Sequence, residues 1–209
     1  MRPALGSVAA ELRAHVPFTA LGAATGVVVM VVMVHASVPR LVSQTLFDVF
    51  HPLHVLLSAM VTAGMYRLHS PGKLWATVLV GYVGAVGIAT LSDCLIPYLG
   101  EWMLDMPNRG VHIGFIDHWW LVNPLALAGI ALAYLRPTTK IPHAGHTLLS
   151  TWASLFHIIM AMGDDLAALT IALVGVFLFL AVWLPCCTSD IVFPLLFTRE
   201  PNHHRDHHA

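Results

Sequence analysis

The sequence predicts an all-α integral membrane protein of six transmembrane helices, built as two inverted three-helix repeats with helices broken near two Ser-Asp-x-x-x-Pro motifs. Three observations predict it. Of 209 residues, 57% are hydrophobic and only 10% charged, with a mean hydropathy of +0.76; a soluble domain carries about 25% charged residues to cover its surface. Six stretches approach the ~20 apolar residues that a bilayer core roughly 30 Å thick requires. Two polar motifs recur, in the same order, in the second half of the chain.

The apolar stretches run from Pro17 to Val38, Leu46 to Tyr66, Leu74 to Leu99, Ile113 to Leu135, His146 to Met162 and Leu166 to Phe197. The first has no convincing cleavage site before its apolar run and reads as a retained helix rather than a signal peptide. The last is long enough to span and then continue past a break at Pro185 or around Ser189 and Pro194. Lys and Arg are retained on the cytoplasmic side of short loops. With both termini cytoplasmic, the inner segments hold Arg2, Arg13, Arg67, Lys73, Arg136, Lys140, Arg199 and Arg205. The outer loops keep only Arg40 and Arg109, beside acidic Glu101, Asp105, Asp164 and Asp165. Trp102, Trp119 and Trp120 fall near one outer loop, where indoles settle at headgroup level.

The repeat is carried by polar residues. His51-Pro52-Leu53-His54-Val55-Leu56-Leu57-Ser58 aligns with His143-Ala144-Gly145-His146-Thr147-Leu148-Leu149-Ser150, and Thr62 then aligns with Ser154. Further on, Ser92-Asp93-Cys94-Leu95-Ile96-Pro97 aligns with Ser189-Asp190-Ile191-Val192-Phe193-Pro194, and a weaker echo sets His15 and Phe18 against His112 and Phe115. Units of three helices are odd in number, so the second enters the membrane from the opposite face. The boundaries are residues 1–105 for the first repeat, 106–198 for the second and 199–209 for a His-rich tail. Such inverted repeats recur in secondary transporters, where exchanging the conformations of two similar halves alternates access; duplication can also simply build a stable bundle.

Helical spacing puts His51, His54, Ser58 and Thr62 on one stripe, and His143, His146, Ser150, Ser154 and His157 on another. An imidazole facing lipid would leave its nitrogens unsatisfied, so both stripes face the bundle interior. Singly, such groups glue helices together at about 0.6 kcal/mol per contact; as a duplicated pair they suggest a pathway. Asp93 and Asp190 are sharper. A carboxylate in an apolar span costs ~2.5 to 3.5 kcal/mol, so it pairs, faces a cavity or titrates. Ser92 and Ser189 precede the two acids, and Pro97 and Pro194 follow four residues later, a pattern that favours helix breaks or capped second segments.

By depth, His51, His54, Asp93 and Cys94 form an outer cluster, and His143, His146, Asp190 and Cys187 an inner one. Ser58, Thr62, Ser150 and Ser154 line the path between them, and His157 is a further candidate metal ligand. Imidazole with carboxylate and thiol suits Zn, Ni, Co or Cu, whereas Mg and Ca require oxygen-rich cages. The reading is therefore a small transporter or permease for a divalent transition-metal cation, with the lipid bilayer and a small cation or solute as partners and proton antiport as a compatible coupling. Homo-oligomerisation is compatible with it. The alternatives are a proton-coupled carrier of another solute, since His and Asp also build proton relays, and a membrane-embedded metal hydrolase. No His-Glu-x-x-His pair supports the hydrolase. A haem protein ligated through His54 and His157 lacks a Cys-x-x-Cys-His attachment. The neutral charge balance argues against nucleic acid, and no glycine-rich phosphate loop is present. The tail His203-His204-Arg205-Asp206-His207-His208 has a metal-binding composition, equally that of a solvated polar tail.

Overall fold

The computed structural model describes residues 5–69, 73–137, 140–163, 167–187 and 192–197, and these are helical throughout apart from turns and short connections. In chain order the elements are α1 (Leu5–His35), α2 (Arg40–His69), α3 (Leu74–Thr90), a π-helical segment (Leu91–Leu95), α4 (Ile96–Met103), α5 (Gly114–Asp117), α6 (Trp119–Leu135), α7 (Lys140–Ala161), α8 (Ala168–Cys187) and α9 (Phe193–Leu196). Among the described residues, four helical stretches are long and apolar enough to cross a membrane: Val16–His35, Arg40–His69, Leu74–Met103 and Ala168–Cys186. The protein is thus a membrane protein. α6 is apolar but shorter, and α7 carries a polar stripe through its length.

The apolar side chains divide into two regions. Met30, Phe47, Leu155, Ile158 and Leu178 belong to one, formed mainly by α1, α7 and α8. Val55, Ala59, Ala63, Ala85, Val122, Ala126 and Ile130 belong to the other, formed by α2, α3 and α6. Between them α2 lies against α7, the most extensive helix pairing in the molecule. Large apolar residues such as Leu21, Val28, Leu79, Val83, Leu127 and Val176 point outward, which is stable only where the surroundings are hydrocarbon.

Close backbone approach holds α6 on α2. A Cβ on Gly129 would lie 2.3 Å from the Leu56 carbonyl oxygen, so a hydrogen there lets the helices reach a distance no side chain allows. At the ends of these helices Arg67 sits over the Tyr134 ring, 3.7 Å from its centroid. The carboxy-terminal ends of α1 and α4 close in the same way. Val38 N–H reaches the Met33 carbonyl and Met106 N–H the Glu101 carbonyl, with Ser37 (φ 49) and Asp105 (φ 51) in the left-handed conformation that this ending requires.

The expected break at Ser92–Pro97 is not a break. The helix runs from Leu74 to Met103 through one widened π-turn, in which Ile96 N–H reaches back five residues to the Leu91 carbonyl. Proline explains the widening: Pro97 has no N–H, and its ring would clash with a carbonyl four residues back in a regular α-turn. In the wide register the Ser92 carbonyl is the one that Pro97 fails to serve. The Ser154 hydroxyl from α7 approaches it at 2.9 Å, with the Ser150 carbonyl as its other acceptor at 2.8 Å. The second motif, Ser189 and Asp190, lies outside the described residues. Pro185 does not interrupt its helix, since α8 continues through it to Cys187.

Candidate functional site

A carboxylate at the π-turn organises the centre of the molecule. Asp93 is fully buried, and its Oδ2 accepts from Nδ1 of His51 at 2.9 Å and Nδ1 of His54 at 2.7 Å. Its Oδ1 accepts from the hydroxyls of Ser92 and Ser150, each at 2.7 Å. An ionised carboxylate is an acceptor only, so these four donors satisfy it and fix the tautomer of both histidines, with the proton on Nδ1. The π-turn delivers Asp93, the α2 stripe delivers His51 and His54, and the α7 stripe delivers Ser150.

His54 has a second neighbour. Its ring stacks on that of His146 of α7, with centroids 5.7 Å apart and planes 13° from parallel. Side-chain donor atoms of His54, His146 and Cys186 all lie within 4.8 Å of one another, and all three residues are buried. His54 of the expected outer cluster and His146 of the expected inner one therefore meet, the two residues that the sequence alignment sets against each other. The thiol in this group is that of Cys186, a residue the sequence did not single out. The side chains of His143 and Cys187 lie outside those described.

Two other expected ligands are placed elsewhere. Cys94 is buried, but its sulfur faces the backbone N–H of Gly114 and is not a member of the donor group. His157 sits eleven residues beyond His146, about 16 Å along α7. There its Nδ1 donates to Oε1 of fully buried Glu101 at 2.6 Å, while Gly110 N–H approaches Oε2 at 3.3 Å. Glu101 was expected in the outer loop. The signal for its burial is spacing: Asp93, Pro97 and Glu101 follow one another at four-residue intervals, hence on one helix face. Phe47 lies between the two polar groups, stacked on His51 (5.3 Å) and edge-on to His157 (5.4 Å).

Ser58, Thr62 and Ser154 are buried on the same stripes, and no acceptor or donor reaches Ser58 Oγ among the described residues. Outside the helices, half-buried His112 lies edge-on to His157 at 5.4 Å. Burial, and then the nearby His157, hold its imidazole below the usual histidine range. His112 also lines a pocket of about 250 Å³ with Gln44, Asp48, Asp117 and His118, in which His118 pairs with Asp48 at 3.0 Å.

No protein-family model, curated protein or solved structure matches the chain. Its chemistry has to be read from these residues alone.

Proposed function

We propose that the protein is a small secondary transporter or permease that carries a divalent transition-metal cation, with proton antiport as its coupling. One observation carries the reading: His54 and His146, equated by the repeat, stack at the contact of α2 and α7 beside a buried carboxylate. Polar groups at the meeting of two related halves are what alternating access uses.

Packing supports two inverted halves of three spans each. If α1, α2 and α3 with its continuation correspond to α6, α7 and α8, the pairing of α1 with α7 mirrors that of α6 with α2. The pairing of α1 with α8 mirrors that of α3 with α6, and that of α2 with α3 mirrors that of α7 with α8; α2 against α7 is its own mirror. Every one of these pairs is in contact. The first helix of each half packs mainly on the other half, so the two are interleaved. Glu101 and His157 supply a second buried carboxylate–imidazole pair, separated from Asp93 by Phe47, which suits a proton site distinct from a cation site.

The test is flux. Purified protein in proteoliposomes should move Zn²⁺, Co²⁺, Ni²⁺ or Cu²⁺ in exchange for protons, and Asp93→Asn should lower the rate at least tenfold. Wild-type protein that moves none of these ions, or flux that Asp93→Asn leaves unchanged, would refute the reading.

A further inference from the structure

We infer that His54 Nε2, His146 and the Cys186 thiolate form a three-ligand, two-nitrogen one-sulfur site for a divalent ion of the zinc class, with Asp93 as the outer carboxylate that orients His54. This names the cargo and the atoms that hold it, and as a statement about cargo it rests on the transport reading above.

The first support is a buried atom with nothing to bond. His54 Nδ1 is committed to Asp93, and its Nε2 is sealed from solvent without a hydrogen-bond partner among the described residues. With the proton held on Nδ1, Nε2 is the ring nitrogen whose lone pair is left to bind a metal. A carboxylate–imidazole–metal relay is the arrangement in which ligating histidines are found, because the carboxylate fixes the ring and raises its basicity.

Distance is the second support. Zn–N bonds near 2.0 Å and a Zn–S bond near 2.3 Å, set tetrahedrally, put ligand atoms about 3.3 to 3.6 Å apart. Donors already within 4.8 Å need to close by about an ångström, within the reach of small side-chain rotations. Among the described residues three protein ligands come together, which leaves a fourth position for a ligand the ion can exchange.

Charge is the third. Asp93 brings one negative charge into the low-dielectric interior, where an uncompensated ion is costly. On binding, Cys186 forms its bond to the metal through sulfur and the thiol proton leaves to water. One carboxylate and one thiolate then balance the two charges of a divalent ion, with both imidazoles neutral. Mg²⁺ or Ca²⁺ finds neither the oxygen cage nor the coordination number it requires. Each ion that enters releases one proton, so the chemistry of the ligand itself supplies an exchange of metal for proton.

The assignment also separates residues the sequence treated alike. His51 bonds the same carboxylate oxygen as His54 but belongs outside the ligand set, and Cys94 and His157 take no part.

The experiment is titration of the full-length purified protein with Co²⁺, which reports thiolate ligation through a sulfur-to-cobalt charge-transfer band and tetrahedral geometry through its visible d–d bands. One sulfur-ligated equivalent per chain is expected, displaced by Zn²⁺ and untouched by excess Mg²⁺. The His-rich tail has no sulfur, so it contributes nothing to the charge-transfer band. Cys186→Ser should abolish that band, and Cys94→Ser and Cys187→Ser should keep it. Asp93→Asn should keep the band while weakening affinity 10- to 100-fold. A wild-type protein without the band, or a band that survives Cys186→Ser, overturns the assignment. Should Cys186→Ser fail to fold, X-ray absorption at the zinc edge of the wild-type protein decides: one sulfur in the shell sustains the site and none refutes it. Because both measurements are made at equilibrium, ligation without flux would keep the metal site and remove the carrier.

Discussion

His51 shows how much one buried ring depends on its surroundings. Its Nδ1 is held by Asp93, one face is covered by Phe47, and the far edge meets the backbone at Gly114, where a Cβ would lie 2.3 Å from Cδ2 and 2.4 Å from Nε2. Gly114→Ala must therefore push the imidazole off Asp93. It should lower stability by about 1 to 3 kcal/mol, as overpacking does, and weaken metal binding in parallel. Thermal unfolding in detergent, with and without Zn²⁺, checks both. His112 yields a prediction in pH. Its folded-state value lies below the ordinary one, chiefly through burial, so its neutral form is favoured by folding. The associated stability is complete above the ordinary histidine range and is lost as pH falls through the depressed folded-state value. Acidification should thus destabilise the wild type more than His112→Asn, seen as a smaller drop in melting temperature for the variant between pH 7.5 and pH 5.

At the scale of elements, the π-turn and the two polar stripes do the positioning. Pro97→Ala restores an N–H and removes the ring that forbids a regular turn. The segment should then tighten into α-helix, turning Asp93 away from His54. The expected result is a melting temperature equal to or above that of the wild type, with metal affinity reduced about tenfold, on the scale of losing an outer carboxylate. Unchanged affinity would contradict the positioning role given to the turn. The stripes were legible in sequence because four-residue spacing of His54, Ser58 and Thr62, and of His146, Ser150 and Ser154, leaves a helix no other way to group them. The π-turn was not legible. A proline inside a helix signals a disturbed ladder, but whether the chain breaks or widens depends on what meets the orphaned carbonyl, and Ser154 is 62 residues away. Glu101 was missed for a related reason. Charge and the nearby Trp102 and Asp105 resemble a headgroup loop, and only its partner His157 on another helix makes burial tolerable. That Cys186 joins His54 and His146 was likewise beyond sequence, since adjacent cysteines do not reveal the phase of α8.

For the whole molecule, composition and hydropathy pointed to membrane residence, because 10% charged residues are too few to cover a water-facing surface. The pairing of α1 with α7 and α8, and of α6 with α2, was beyond sequence, since periodicity tells which face of a helix is buried and not which helix covers it. The proposed topology makes a prediction of its own. Cysteines introduced as Ser7→Cys and Ala209→Cys should react with a membrane-impermeant maleimide from the same side, and Ser37→Cys from the opposite side. Labelling of all three from one side would dismantle the inverted arrangement.

The π-turn can also be viewed as a defect in a lattice. It stores one surplus residue relative to α-helical register, and the proline beside it keeps the surplus from being handed along the chain, because a regular turn at that point would press the Pro97 ring onto the Asp93 carbonyl. The angle at which the acidic side chain leaves the helix axis is thereby written into the covalent chain, whatever its hydrogen-bond partners do.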